Sequence, residues 1–392
     1  MISFTASNKI RLVVCFTLTV LLLGISGCGH KTQAVTPISL PGHSSINTVF
    51  GFDGTYLRCS EELETGQLDY LLHKDGTIIY QGENSTILLP EDDVSKIVLE
   101  DGSLCYCNVD QTIIAEGIYA GTNFSQGKAA VQYEECGEIF VIDPSGAVLF
   151  SLESMGSTLQ GELSDGIAVS NRLNPADGTI QTFFISLEDQ TVSETMYQGV
   201  TGFSEGLCMV NPPEGERSSV ADPDAICGFI DTDFKLVIPY QFAVQSLGFH
   251  NGRIIVGQIH PETGVVLKGA IDTSGQLTVP YAYTELTQFN QRGYAVGKKE
   301  VDGKVVQELI NAQGQQILAF PEQEAFSRYE IYDNFILLIT ADSAGSLQYR
   351  MIDFSGKELY PERNFQRIYP SDGDCVIAIE GEQALVVPIP NT

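Results

Sequence analysis

Three kinds of residue in this sequence could do chemistry: a serine in a Gly-x-Ser-x-Gly pattern, recurring aspartates, and cysteines. The segment Gly202–Gly206 has the spacing of the turn that exposes a serine nucleophile between a strand and a helix. A strand-like run follows it here, and similar segments elsewhere carry Ser125, Ser164 or His250 at the position of Ser204. A position that varies in this way between copies is typical of a turn, so we do not predict a hydrolase nucleophile.

The aspartates recur at a regular spacing. The same position recurs at Asp231, Asp272, Asn311 and Asp353, and the successive spacings are 41, 39 and 42 residues. Two carboxylates could cleave a glycoside if the fold brought them together. Each of these residues, however, lies between two apolar runs and before a turn-like segment. The pattern occurs in Val141–Leu149, Ala270–Gly275, Leu309–Gly314 and Met351–Gly356, and more weakly in Leu71–Gly76 and Phe229–Phe234.

This aspartate pattern predicts a β-hairpin. In Asp143-Pro144-Ser145-Gly146 the Asp side chain can accept hydrogen bonds from backbone N–H groups ahead of it. Pro144 suits a type I turn, and Gly146 can adopt the positive φ that closes a three-residue hairpin with a bulge. We therefore assign these carboxylates to turns and predict no catalytic residue.

Histidines and cysteines show no metal-binding spacing. The sequence has five His and no twelve-residue calcium loop, nucleotide-binding glycine loop or paired CxxC motif, so we expect no metal and no cofactor. Seven of the nine Cys lie beyond the first thirty residues: Cys59, Cys105, Cys107, Cys136, Cys208, Cys227 and Cys375. We interpret most of them as small buried apolar residues, with Cys105 and Cys107 on one face of a strand. A disulfide such as Cys208–Cys227 stays open.

The first twenty-seven residues have the composition expected of a signal peptide. Lys9 and Arg11 precede an apolar run at Leu12–Leu23, which is too short to span a bilayer as a helix. The run ends at Ile25-Ser26-Gly27-Cys28, which resembles the lipobox of bacterial lipoproteins. The resemblance implies a signal peptide at 1–27 and a lipid-bearing Cys28 as the mature N-terminus. Its acyl chains would hold the protein at the extracytoplasmic face of the cell membrane.

Residues 28–50 contain Pro37, Pro41 and neighbouring serines, a composition that indicates a flexible tether after the lipidated Cys28. The remaining residues, 51–392, are predicted to form one repeat domain.

A second pattern precedes each hairpin: an aromatic residue, two polar residues, Gly and an alternating strand, as in Phe203–Val210 and Phe249–Val256. Over Phe203–Tyr240 and Phe249–Tyr281 the sequence resembles the WG-repeat family, through Gly228-Phe229-Ile230-Asp231 and its equivalents. Cys227 and Lys268 stand where that family has Trp. The resemblance implies a β-repeat architecture and no established activity.

Short strands at this spacing predict an all-β fold, a β-propeller-like ring of about seven or eight blades with little helix. The last strands, Cys375–Ile379 and Ala384–Pro388, would pair near Tyr56 and close the ring. The alternative is an open β-solenoid of stacked hairpins.

The charge excludes one class of partner. With 50 acidic and 21 basic residues, the net charge of −29 repels nucleic-acid phosphates. We therefore expect a non-enzymatic binding or scaffold module for an envelope or extracellular protein, peptide or glycan, with contact loops at Asn211–Ile226 and Ile259–Leu267. A cell-envelope glycan or peptide hydrolase and a structural spacer are the alternatives.

Overall fold

Short strands joined by tight turns make up the described part of the chain. The computed structural model describes residues 35–38, 48–63, 66–193, 197, 201–212, 226–320, 327–341, 344–381 and 383–390, all within the unit Ala34–Thr392. These residues contain strands and no helix, and hence no helix able to cross a membrane. The scarcity of helix predicted from the missing 3.6-residue periodicity is confirmed for this part of the chain.

The strands, in chain order, are β1 (Thr36–Ile38), β2 (Thr48–Phe52), β3 (Tyr56–Leu63), β4 (Gly66–His73), β5 (Ile78–Glu83), β6 (Thr86–Ile87), β7 (Val94–Val98), β8 (Leu104–Asn108), β9 (Ile113–Ile118), β10 (Ala120–Gly121), β11 (Ala129–Gln132), β12 (Ile139–Ile142), β13 (Val148–Leu152), β14 (Thr158–Ser164), β15 (Ile167–Leu173), β16 (Ile180–Ser186), β17 (Thr191–Val192), β18 (Phe203–Ser204), β19 (Leu207–Val210), β20 (Cys227–Asp231), β21 (Leu236–Val244), β22 (Arg253–Ile259), β23 (Val266–Asp272), β24 (Leu277–Tyr283), β25 (Glu285–Leu286), β26 (Tyr294–Val301), β27 (Lys304–Asn311), β28 (Gln316–Ala319), β29 (Ser327–Ile331), β30 (Ile336–Ala341), β31 (Leu347–Ile352), β32 (Arg367–Tyr369), β33 (Cys375–Glu380) and β34 (Gln383–Pro388).

The strands group into antiparallel units of three or four. Units 1 to 4 are β2–β5, β6–β9, β10–β13 and β14–β17, and units 7 and 8 are β25–β28 and β29–β31. Units 5 and 6, β18–β21 and β21–β24, share the long strand β21, which pairs with β20 and, through Ala243 and Val244, with β22. Unit 9 combines β32, β33 and β34 with β1 from the other end of the chain.

Because strand direction alternates, each unit has two different ends. The turn between its first and second strands and the hairpin between its third and fourth strands lie at one end, which we call the turn face. The hairpin between the second and third strands lies at the other end, together with the links between units. We call that end the middle-hairpin face. The two expected contact loops join β19 to β20 and β22 to β23, so both belong to the middle-hairpin face.

Nine apolar clusters hold the units together, and each lies between two consecutive units. Phe229 and Ile254, for example, share the cluster between units 5 and 6, and Ala130 and Ile185 share the one between units 3 and 4. Single units of this size cannot cover their own apolar faces, so neighbouring units bury them for each other. The ninth cluster joins unit 9 to unit 1 through Ile377 and Leu72. The units therefore form a closed, propeller-like ring, and the open solenoid is wrong.

The ring closes differently from the expectation. Tyr56 lies in β3 and pairs with His73, whereas the closing partner of β34 is β1, with Pro37 opposite Leu385. Proline is tolerated there because β1 is an edge strand that needs to donate hydrogen bonds on one side only. Since β1 and the start of β2 precede residue 51, the repeat domain extends into the segment assigned to the tether.

Among the described residues there are nine units, against the seven or eight expected. The hairpin motif joins the third and fourth strands of a unit, and the sequence contains eight copies of it. In unit 9 the strands β34 and β1 come from opposite ends of the chain, so no such hairpin exists to be counted.

Candidate functional site

The Gly-x-Ser-x-Gly segment is a structural turn. Glu205 and Gly206 both have positive φ, 54° and 77°, which is typical of a two-residue type I′ hairpin turn between β18 and β19. The Ser204 hydroxyl donates to the backbone oxygen of Phe249 at 2.5 Å, and the Glu205 carboxylate accepts from the backbone N–H of Gly252 at 2.7 Å. Both side chains therefore bind the equivalent turn of the next unit, as expected for a turn rather than a nucleophile.

The same bonds recur around the turn face. Asp92 accepts from the N–H of Gly127 at 2.7 Å, and Asp165 accepts from the N–H of Gly206 at 2.8 Å. Between units 7 and 8 the direction reverses, because Asp333 of unit 8 accepts from the N–H of Gln291 at 2.7 Å. Carboxylates on this face thus join neighbouring units.

The recurring aspartates cap their own hairpins. The Asp143 carboxylate accepts from the N–H groups of Ser145 at 2.8 Å and Ala147 at 3.1 Å, and Gly146 has a φ of 81°. Hydrogen bonds from the Ser145 hydroxyl and backbone hold the pKa of Asp143 below its usual range. The register shifts between Val141 and Ile142, as a bulge requires. The hairpin prediction is confirmed, and Asp231, Asp272, Asn311 and Asp353 bind their turns in the same way.

The cysteines are free thiols in the structure. Six of the seven are buried, and Cys136 is exposed. Cys208 donates to the backbone oxygen of Thr201 at 3.1 Å and Cys227 to the side chain of Asn211 at 3.4 Å, so the Cys208–Cys227 disulfide is not formed. Burial raises the pKa of Cys208 to about 12, which keeps it protonated and unreactive at neutral pH.

Cys105 and Cys107 lie in the cluster between units 1 and 2, on one face of β8 as predicted. Among the described residues, these two included, no group of three or more His, Cys, Asp or Glu side chains could hold a metal ion. Cys28 and the signal sequence lie outside the described residues, so the cleavage of the signal sequence and the lipidation of Cys28 stay predictions.

The hairpins of the middle-hairpin face carry ten of the 21 exposed large apolar side chains among the described residues. The most exposed of these ten are Leu173 (64%), Ile180 (60%) and Val305 (56%). The expected contact loop Ile259–Leu267 belongs to this set, whereas only Asn211, Pro212 and Ile226 of the other loop are described. The exposed large apolar residues of these hairpins are Leu63, Tyr133, Leu173, Ile180, Ile259, Val265, Val266, Val301, Val305 and Leu347.

Acidic side chains lie beside these apolar ones. Glu134, Glu135, Asp177, Glu262 and Asp302 are exposed on the same hairpins. Isolated apolar residues on a surface are ordinary, so these ten make a candidate interaction surface only together with the exposed carboxylates on the same hairpins.

A cleft of about 210 Å³ opens beside this face, between units 1 and 2. Its lining residues are Phe50, Arg58, Cys59, Gln67, Asp69, Tyr70, Ser85, Thr86 and Ile87. Arg58 lies opposite Leu71 and Ser60 opposite Asp69 in the β3–β4 ladder, which places Arg58 and Asp69 on one face of the sheet. That face is turned toward unit 2, because Leu71 packs in the cluster shared with Ile87.

The two charged side chains of the cleft, Asp69 and Arg58, differ in their hydrogen bonding. Asp69 is buried and accepts from the backbone N–H of Ser85 at 2.9 Å and from the side chain of Gln67. The Nε of Arg58 is buried without a hydrogen-bond partner among the described residues. Burial lowers the pKa of Arg58, and the negative charge of Asp69 opposes that shift.

The sequence analysis did not single out this cleft. The available signal was an Arg between two apolar residues, Leu57-Arg58-Cys59, inside a predicted strand.

Comparison with known proteins supports the repeat assignment. The family model described as WG containing repeat matches residues 228–258 and 269–300, in units 5, 6 and 7. No curated protein matches the sequence.

Similar solved structures include BamB from Moraxella catarrhalis, at 10% identity over 90% of this chain and 99% of that one, with a TM-score of 0.37. Apo AztD from Citrobacter koseri has 13% identity over 78% and 94%, with a TM-score of 0.40. Dipeptidyl peptidase 4 from Porphyromonas gingivalis has 9% identity over 82% and 61%, with a TM-score of 0.48. At these scores the similarities assign no activity and no partner. The family model therefore shows WG-containing repeats at residues 228–258 and 269–300 of this chain.

Proposed function

We propose that this chain is a lipoprotein held by Cys28 at the extracytoplasmic face of the cell membrane, and that its ring binds an envelope protein. The anchor rests on the lipobox-like sequence. The binding role rests on one observation, that ten exposed apolar side chains lie on the same hairpins of the middle-hairpin face as exposed carboxylates. On the turn face, by contrast, carboxylates and serines bind neighbouring turns, which leaves those groups a structural role.

The chemistry of this face selects a basic partner that also carries apolar side chains. Glu134, Glu135, Glu262 and Asp302 attract Lys and Arg, while Leu173 and its neighbours lose exposed apolar surface when covered. Fully burying one such side chain is worth about 1.5–3 kcal/mol. A bare cation would not use the apolar residues, and an anionic lipid surface would be repelled by the net charge of −29.

The binding proposal is tested with defined peptides and the full chain purified in detergent. We expect a peptide that alternates Lys and Leu to bind, and peptides that alternate Lys with Ser or Glu with Leu not to bind. The triple variant Leu173→Ser, Ile259→Ser, Val305→Ser should weaken binding by about tenfold or more. Affinity should also fall as salt rises, because the carboxylates are exposed.

The matched control places the same changes at the other end of the units. Val148, Leu277 and Ile317 are exposed near the turn face, and their replacement by Ser should leave peptide binding unchanged. Equal binding by both triple variants, or preference for the Lys–Ser peptide, would refute the assignment of this surface. Retention of envelope glycans without any peptide binding would replace the protein partner by a carbohydrate.

The anchor is tested separately by labelling cells with radioactive palmitate. Cys28→Ala should abolish the label, whereas Cys15→Ala should retain it because Cys15 lies in the removed signal peptide. Label that persists in Cys28→Ala would show that the anchor lies elsewhere or is absent.

A further inference from the structure

The cleft between units 1 and 2 contains a hydrogen-bond donor without an acceptor. Arg58 is half-buried, and its side chain makes no hydrogen bond or ion pair with any described residue, although its Nε is enclosed. A buried polar atom left unpaired costs free energy, and a guanidinium presents five N–H donors and no acceptor. The nearby carboxylate of Asp69 accepts hydrogen bonds from Ser85 and Gln67, and none joins it to Arg58 among the described residues.

The size and lining of the cleft restrict what can satisfy Arg58. A volume of about 210 Å³ lies below the range of pockets that hold drug-sized molecules, so the occupant is a single small group. The lining combines polar side chains, among them Gln67 and Ser85, with Ile87 and the half-exposed ring of Phe50. An occupant therefore needs an anionic or strongly accepting group next to an apolar one.

We propose that this cleft binds the carboxylate of a ligand that carries an apolar side chain next to it, with Arg58 as the carboxylate-binding residue. A planar guanidinium and a carboxylate form two parallel hydrogen bonds, which is the pairing that a free Arg fork favours. Phe50 and Ile87 then cover the apolar side chain. Free apolar amino acids and the C-terminal residue of a peptide share this chemistry.

Other ligand classes fit the cleft less well. A metal ion would be repelled by Arg58, and Asp69 is the only carboxylate among the described residues of the lining. A phosphate would bring about two negative charges toward one guanidinium and the buried Asp69. A monocarboxylate adds one charge to a cleft in which Arg58 and Asp69 already balance.

Three probes of similar shape separate the possibilities, each titrated into the full chain in detergent and followed by saturation-transfer NMR. L-Leucine and N-acetyl-L-leucine both carry the carboxylate, whereas L-leucinamide lacks it. We expect at least one of the carboxylates to bind and the amide not to bind. Binding of N-acetyl-L-leucine alone or more tightly identifies a peptide C-terminus as the source, and preference for L-leucine identifies a free amino acid.

Substitution of Arg58 tests the assigned residue. Arg58→Gln should weaken carboxylate binding by about tenfold to a hundredfold, and Arg58→Lys, which keeps the charge and loses the fork, should lie between. The matched control is Arg350→Gln, which changes an exposed Arg in β31 outside the cleft and should bind as the unaltered chain does. Circular dichroism checks that each variant is folded.

Three outcomes would overturn the proposal: L-leucinamide binding as well as the acids, Arg58→Gln binding as well as the unaltered chain, or no binding of either acid at about 10 mM. The site is independent of the proposed docking surface. Arg58→Gln should leave binding of the Lys–Leu peptide unchanged, so failure of one proposal is distinguishable from failure of the other.

Discussion

Phe234 occupies a hairpin position that requires a left-handed backbone, and its replacement by Gly should destabilise the ring. In the equivalent hairpins this position is Gly, with φ of 81° at Gly146 and 81° at Gly275, whereas Phe234 has a φ of 63°. A side chain in this conformation costs about 1–2 kcal/mol. Phe234→Gly would remove that strain, yet we expect a net loss of stability.

The expected loss comes from aromatic contacts with Phe184 of unit 4 and Phe203 of unit 5. The Phe234 ring stacks on Phe184 with centroids 5.8 Å apart and meets Phe203 edge-on at 6.3 Å. Each aromatic pair contributes about 0.5–1.5 kcal/mol, and burying half of a Phe side chain about 1–1.5 kcal/mol more. These contributions total about 3 kcal/mol, while the relieved strain is partly offset by the added backbone entropy of Gly, about 0.5–1 kcal/mol. Phe234→Gly should therefore lower the free energy of unfolding by about 2 kcal/mol, roughly thirtyfold in the folded-to-unfolded ratio.

Urea unfolding followed by far-UV circular dichroism measures this difference, since the chain has no Trp for fluorescence. Phe234→Asn separates the two effects, because Asn tolerates positive φ without the backbone freedom of Gly and also loses the ring contacts. Gly275→Ala is the converse test and should destabilise, because its Cβ would lie 3.1 Å from Ile238 on a backbone with positive φ. A Phe234→Gly chain as stable as the unaltered one would refute the claim that aromatic packing outweighs turn strain.

Three further predictions concern thiols, acid and the turn face. In the native chain at neutral pH, iodoacetamide should modify Cys136 and leave Cys208 unmodified until the protein unfolds, as peptide mass mapping would show; a mapped disulfide at Cys208 would contradict the structure. Because the pKa of Asp143 is lowered on folding, its stabilising contribution is complete above its ordinary pKa of about 4 and is lost as the pH falls below it. Urea midpoints should therefore fall more steeply with acidification in the unaltered chain than in Asp143→Asn. Glu205→Ala, which leaves the N–H of Gly252 without its acceptor, should cost about 1–2 kcal/mol of unfolding free energy in the same assay, and an unchanged value would show that water replaces the bond.

The parts of the fold that follow from local chemistry were predictable from the sequence. An Asp three residues before Gly defines a hairpin within a few residues of chain, so Asp143 and Asp272 were assigned their role correctly. The all-β class and the family resemblance followed from the same motifs. The face shared by Cys105 and Cys107 needed only the two-residue period of a strand.

Features that depend on distant residues were not predictable in this way. The pairing of β1 with β34 joins residues at opposite ends of the chain, and Pro37 argued for a tether rather than a strand. The cleft around Arg58 exists only because β3 and β4 align Arg58 with Leu71 and because unit 2 packs against that face. Neither the register nor the neighbour is visible in Leu57-Arg58-Cys59.

The two ends of the units follow different constraints. At the turn face the side chains of Asp165 and Glu205 bind the next unit, so a change there affects the junction between units as well as the turn that carries it. The middle hairpins that carry Leu173 and Val305 bear exposed side chains. The second and third strands of a unit are separated by as few as two residues, after Val301, and by as many as 16, after Val210. A ring built in this way can change what it binds at one end without losing its closure, because the contacts that close it lie between the strands and at the other end. This separation is the physical reason to expect partner specificity on the middle-hairpin face.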